Sequence, residues 1–260
     1  MNVIAFVNQK GGVGKTTSCL NIGAALAIQD KEVLLIDLDP QGSLTKCAGV
    51  RDLDQQDATT YEVLKGEASI NDAIKLIDGR VYYHLVPTDL RMSGAEIELI
   101  SAPGRDYLLK DALGELKNRY DYVLIDCSPS LNIFTLMALT AADSVIIPVA
   151  AQYMPLDGVA QLLSTIELVK KRLNKKLRIS GVLITIYDGR RSLDNQIVES
   201  IRARFPEETF KTVVKYNSRI AEAPTMGKDI FVYDTKSRGA DAYTRIAIEL
   251  IDREEKKDAK

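Results

Sequence analysis

No stretch of this 260-residue sequence stays apolar long enough to cross a bilayer, and Met1 to Val7 carry no basic flank ahead of their short apolar run. Neither a spanning helix nor an export leader is expected. Cysteine is scarce: Cys19, Cys47 and Cys127 are isolated, odd in number and without the paired spacing of a zinc site. Neither a disulfide framework nor a metal cluster is suggested, and a reducing cytoplasm is expected. Histidine occurs once, and His84, beside Tyr82 and Tyr83 in an apolar stretch, is expected to be a packed strand residue and not a ligand. Repeats, low-complexity blocks and linkers are also missing. One domain over residues 1–260 is the default at a length that can bury a substantial core.

What is present is an ordinary globular composition, 46% hydrophobic and 27% charged, with the charge unevenly placed. Residues 1–169 hold 13 Lys/Arg against 22 Asp/Glu, whereas residues 170–260 hold 21 against 14. The net charge of −2 therefore hides a basic C-terminal third, compatible with a phosphate-backbone partner or with charges spread over solvated helix faces.

Short apolar runs at Val3 to Val7, Val33 to Ile36, Tyr122 to Ile125, Val145 to Val149 and Ile179 to Ile186 read as buried strands. Helical spacing follows the first run from Leu20 to Ile28 and recurs near residues 106–119, 156–173, 193–204 and 239–252. Apolar strands alternating with amphipathic helices predict a three-layer α/β fold, a mainly parallel twisted sheet with helices on both faces. Asp39 and Asp126 lie just past two of these strands, where ligand sites gather in open α/β sheets.

The segment Lys10-Gly11-Gly12-Val13-Gly14-Lys15-Thr16-Thr17 stands between a strand and a helix, the context that gives a phosphate loop its meaning. Glycines let the backbone curl its N–H groups inward, and the helix N-terminus adds the positive end of its dipole. Lys15 is placed to reach the β- and γ-phosphates of a nucleotide, and the Thr16 hydroxyl to bind Mg²⁺. The first glycine of the ordinary G-x-x-x-x-G-K-[ST] pattern is replaced by Gln9, and an additional lysine, Lys10, follows it.

With Lys10 the loop resembles the deviant Walker A motif of the ParA/MinD family of P-loop ATPases. Asp37-Leu38-Asp39-Pro40-Gln41 resembles that family's switch I segment, Leu124-Ile125-Asp126 its Walker B strand, and Cys127-Ser128-Pro129 its switch II. The likeness extends from Val3 to about Leu250 and includes Asn217-Ser218-Arg219-Ile220-Ala221-Glu222-Ala223-Pro224. It is greatest to the short Soj-like ParA type of chromosome and plasmid partitioning. With the first strand beginning at Val3, the autoregulatory branch with an N-terminal helix-turn-helix is not expected.

The resemblance implies a set of roles. ATP would be held by Lys10, Gly11, Gly12, Val13, Gly14, Lys15, Thr16 and Thr17, with Asn217 on the adenine. Lys215 stands where the family usually has a proline, which affects the base contact. Mg²⁺ would be bound through Thr16, Asp39 and Asp126, with Asp39 also directing the hydrolytic water; Lys10, Lys15, Asp39 and Asp126 would form the catalytic set. Cys127 is expected to be a small buried residue. Lys10 would contact the nucleotide of a second subunit, so that ATP favours a sandwich homodimer. Non-specific double-stranded DNA would be contacted by Arg190 and Arg219, with Lys228, Lys236 and Arg238 as neighbours. A ParB-like centromere-binding protein would stimulate hydrolysis, and the protein would reside in the cytoplasm on the nucleoid.

Two other classes share this nucleotide fold. A membrane-cycling positioning ATPase like MinD needs an amphipathic C-terminal anchor. Here residues 253–260 are expected to form a mixed-charge tail without apolar anchors, and no membrane association is expected. A metabolic ligase or metal-cluster carrier is the third class, because fold alone does not fix function.

Overall fold

The computed structural model describes residues 1–54, 56–78, 80–152 and 156–258. Its strands are β1 (Asn2–Phe6), β2 (Val33–Leu38), β3 (Lys75–Leu76), β4 (Tyr83–Val86), β5 (Tyr122–Cys127), β6 (Ser144–Ala150) and β7 (Arg178–Thr185). They form one sheet in the order β3-β4-β2-β5-β1-β6-β7, in which only β3 runs antiparallel, against β4. The α-helices are α1 (Lys15–Ile28), α2 (Ser43–Cys47), α3 (Thr60–Lys65), α4 (Met92–Leu99), α5 (Leu108–Gly114), α6 (Ile133–Ala141), α7 (Leu156–Arg172), α8 (Ser192–Arg204), α9 (Ser218–Glu222), α10 (Ile230–Tyr233) and α11 (Arg238–Asp258).

Strand alternation divides the core in two. On one face Val3, Ala5, Leu34, Ile36, Val123 and Ile125 pack with the apolar sides of α3 to α8. On the other, Ile4, Phe6, Val33, Leu35 and Leu124 meet α1, α10 and α11. Successive side chains of a strand point to opposite faces, so a sheet covered twice reads as an unbroken apolar run. This is the predicted three-layer, mainly parallel arrangement.

From β1 the chain crosses to β2 on one side, and from β5 it crosses back to β6 on the other. The carboxyl end of β1 is therefore the topological switch point, where a crevice opens beyond the strands. Past β7 the edge is covered by residues 208–216, whose Phe210 and Val214 N–H groups donate to Val182 and Ile184. His84 is half-buried in β4, edge-on to Tyr120, as a packed strand residue.

Two expectations change. The pattern over 106–119 yields only a 3₁₀ turn at Arg105–Tyr107 and the short α5. The charged segment after Asp252 is not a tail at its start: α11 continues to Asp258, and residues 259 and 260 lie outside the described residues. Glu254 is buried, accepts a hydrogen bond from Ser180 Oγ at 2.7 Å and pairs with Arg178. Arg253 donates to the carbonyls of Ser180, Glu208 and Thr209. The apolar pattern lapses there because these contacts are made by charged groups.

Candidate nucleotide site and basic surface

The loop between β1 and α1 is tied at its base by Asn8, whose Nδ2 donates to Pro148 O at 2.7 Å and whose Oδ1 accepts from the Lys10 N–H at 3.0 Å. Gly12 and Gly14 turn it with φ of 71° and 80°, the left-handed region that side chains resist. Gly14 is the N-cap of α1, and no side chain caps that helix, which leaves its first N–H groups for an anion. Thr185, the last residue of β7, donates its hydroxyl to Val13 O at 2.8 Å and braces the loop from the far side.

Lys15 folds back beneath the loop and donates from Nζ to Lys10 O at 3.1 Å. Burial lowers its pKa, opposed by the charges of Asp126, Cys127 and Asp39. Thr16 Oγ1 donates to Asp126 Oδ2 at 2.6 Å. Parallel pairing of β2 with β5 sets Asp37 opposite Asp126, and Asp39 follows two residues later, 8% exposed. Three carboxylates thus converge at neighbouring strand ends. Burial and then the Asp37 charge hold the Asp126 carboxyl well above the usual range, against the Thr16 hydrogen bond and Lys15.

Asp126 Oδ1 is buried without a hydrogen-bond partner. An orphaned carboxylate oxygen next to a threonine hydroxyl and a phosphate loop is a hard-oxygen environment that fits Mg²⁺. That ion takes one or two carboxylates and completes its shell with phosphate and water. Among the described residues no group of three His, Cys, Asp or Glu forms a metal cage, and this mode of binding needs none. Cys127 is buried, and burial pushes its thiol well above the usual range, so it is the inert small residue expected of it.

Sequence reasoning passed over Thr45. Its N–H and hydroxyl both reach Asp37 Oδ2, at 2.8 and 2.7 Å, and Asp39 N–H reaches Oδ1 at 3.2 Å. Burial nevertheless raises Asp37 to about 6. Nothing in the spacing of a single threonine on a short helix could have signalled this.

A cavity of about 230 Å³ leads from Gly12, Gly14 and Thr17 to Ile186, Lys215 and Asn217. It joins the loop to the residue expected at the base. Ile186, just past β7, has φ 53°, a strained backbone for a β-branched residue. Lys215 and Asn217 also border a larger groove of about 1070 Å³ that contains Arg190, Lys211, Arg238 and Arg245. Of the expected DNA-contacting residues the groove unites Arg190 and Arg238; Arg219, Lys228 and Lys236 are exposed outside its lining. Arg190 pairs with Asp188 at 2.7 Å, and Arg219 with Glu222 at 3.1 Å and Asp234 at 3.8 Å. Among the described residues no ion pair is formed by Lys211, Lys215 or Arg238; the sequence pointed to Lys215 only in connection with the base and the basic surface, and did not single out Lys211.

A family profile described as an AAA domain matches residues 1–179. The sporulation initiation inhibitor protein Soj of Bacillus subtilis is 45% identical over 95% of this chain and 97% of its own length. The chromosome partitioning protein ParA of Caulobacter vibrioides is 44% identical over 100% and 97%. This chain belongs to the ParA/MinD family. Members of the ParA/MinD family are ATPases, and its fold is the one found here. The solved cobyrinic acid a,c-diamide synthase of Mycobacterium smegmatis, with bound ATP analogue and magnesium, superposes with a TM-score of 0.85 at 37% identity, over 96% of this chain and 94% of that one. Within the ParA/MinD frame, Lys10, Lys15, Thr16, Asp39 and Asp126 occupy one small region at the switch point of the sheet.

Proposed function

We propose that the protein is a ParA-type ATPase of DNA partitioning that acts through residues 1–260 as one unit. The observation that carries this reading is the cluster below the phosphate loop, where Lys15, Thr16 and the orphaned Asp126 oxygen meet. ATP would lie with its phosphates against residues 10–17 and its base between Ile186 and Asn217. Thr16 and Asp126, with Asp39 beside them, would hold Mg²⁺, which would supply charge neutralisation for phosphoryl transfer. Lys15 fixes the phosphates as a point charge, and Asp39 orients the attacking water.

Lys10 of each subunit neutralises the nucleotide of the other, so dimerisation depends on the γ-phosphate and hydrolysis weakens it. The dimer binds double-stranded DNA without sequence preference through Arg190, Arg219, Lys228, Lys236 and Arg238, on the nucleoid. A ParB-like protein stimulates hydrolysis and release. The names of the relatives, Soj and ParA, support this assignment.

The deciding experiment measures ATP turnover and duplex binding with and without the cognate ParB-like protein. Binding should need ATP and weaken steeply with salt, since each phosphate contact releases counterions. Turnover unmoved by DNA and ParB together would remove the partitioning role. A second reading, a ligase on the same fold, is favoured by the likeness to the diamide synthase structure; it predicts turnover that depends on a small carboxylic acid and ignores DNA.

A further inference from the structure

Two segments of the backbone pack against each other at a pair of glycines. Gly49 lies just beyond α2, and Gly227 closes the 3₁₀ turn Ala223–Met226 that follows α9. Both hold left-handed φ values, 83° and 67°. A Cβ on Gly49 would stand 2.6 Å from Gly227 O, and one on Gly227 would stand 2.7 Å from Gly49 Cα. No larger residue fits either strand of the crossing without moving the other. Arg51 Nη2 donates to Thr225 O at 2.9 Å and fastens the same junction.

The two chains lead to different parts of the site. On one side, Asp39 O accepts from Gly42 N–H at 2.8 Å, Gly42 caps α2, and Thr45 on α2 holds Asp37. Val50 N–H returns to Thr45 O at 3.1 Å, so Asp39 and Gly49 are joined by one short, hydrogen-bonded piece. On the other side, Asn217 caps α9, which carries Arg219 and runs directly into the turn closed by Gly227. A separate fastening ties the chain beyond it to α1: Ile230 N–H donates to Asn21 Oδ1 at 2.8 Å, and Asn21 Nδ2 donates to Thr17 O at 2.7 Å. The segment carrying Asn217, Arg219 and Lys228 is thus fastened towards its far end, at Ile230 by the phosphate-loop helix and at Thr225 and Gly227 by the piece that carries Asp39.

We propose that Gly49 and Gly227 are positioning residues that transmit the placement of Asp39, set by the γ-phosphate, to α9 and its Arg219. This rests on the ATP and DNA reading above for its ligands. With α1 as the fixed anchor, a shift of the Asp39 piece moves α9 because the crossing leaves no slack. Tightly packed junctions pass such shifts on as discrete rearrangements.

The test compares hydrogen exchange of residues 218–228 in Mg²⁺ with ATPγS or ADP, and duplex affinity in the same two states. In the wild type, exchange should differ between nucleotides, and ATPγS should favour duplex binding by about 10-fold or more. Gly227→Ala should bind both nucleotides within about 3-fold of wild type yet bring that ratio towards one; Arg51→Ala should lower it by a smaller factor. Retention of the full ratio in folded Gly227→Ala overturns the proposal. So does an unchanged exchange pattern at 218–228 in wild type while ATPγS protects residues 9–17. Should Gly227→Ala fail to fold, the wild-type exchange and Arg51→Ala decide. If exchange responds but no duplex binds in either state, the coupling stands and the partitioning reading falls.

Discussion

Asp37 shows how an acid can matter at a site without touching a ligand. It is fully buried, accepts three hydrogen bonds and is still pushed up to about 6 by burial. Between its ordinary value and 6 the folded state keeps a proton that the unfolded chain has lost, so this group's contribution to stability falls as pH rises through that window and is level above it. Its size is at most about 3 kcal/mol. Unfolding free energies of wild type minus Asp37→Asn should therefore decline from pH 4 to pH 6; a flat difference would place the titration elsewhere. In the proposed mechanism Thr16 acts directly. Its hydroxyl meets Asp126 Oδ2 at 2.6 Å, while Oδ1 has no hydrogen-bond partner. Thr16→Ala should lower Mg²⁺-dependent ATP hydrolysis about 100-fold, roughly 3 kcal/mol of transition-state stabilisation. A turnover assay within a few-fold of wild type would detach Thr16 from the chemistry.

Elements differ in how far the sequence declares them. The strand, glycine loop and α1 were legible because each local preference agrees with the fold: an apolar run, three closely spaced glycines, then helical spacing. β3 and α2 escaped because two and five residues are too short for a period to register. The stretch from α9 to α10 escaped because its hold on the body comes from Asn21, Gly49 and Arg51, far away in the chain. The end of α11 was misread for a related reason: Arg253 and Glu254 look like solvated charges, yet they close the edge of the sheet by hydrogen bonds to Ser180, Glu208 and Thr209. Glu254→Ala leaves Arg178 and Ser180 without that acceptor. A loss of about 1–3 kcal/mol is expected, lowering the melting temperature by roughly 3–10 °C. Lys256→Ala, on the exposed side of the same helix, should change it little; equal melting of the two variants would return these residues to a solvated tail.

At the scale of the whole molecule, the two lysines of the loop divide the work. Lys15 is 7% exposed and turned inward on Lys10 O beside the carboxylates, so in the proposed mechanism it would serve the nucleotide of its own chain. Lys10, half-buried at the start of the loop, would in the proposed dimer serve the other. A two-fold axis repeats every contact, so one lysine per chain supplies two charge-assisted hydrogen bonds to phosphate. At about 1.5–3 kcal/mol each, Lys10→Ala should weaken the ATP-bound dimer by roughly 10²- to 10⁴-fold. Nucleotide affinity of the monomer should remain within about 10-fold, because Lys15 and the helix N-terminus stay in place. Sedimentation with ATPγS and Mg²⁺ separates the two effects. A dimer constant that Lys10→Ala leaves unchanged would keep the nucleotide site and remove the switch assigned to Lys10.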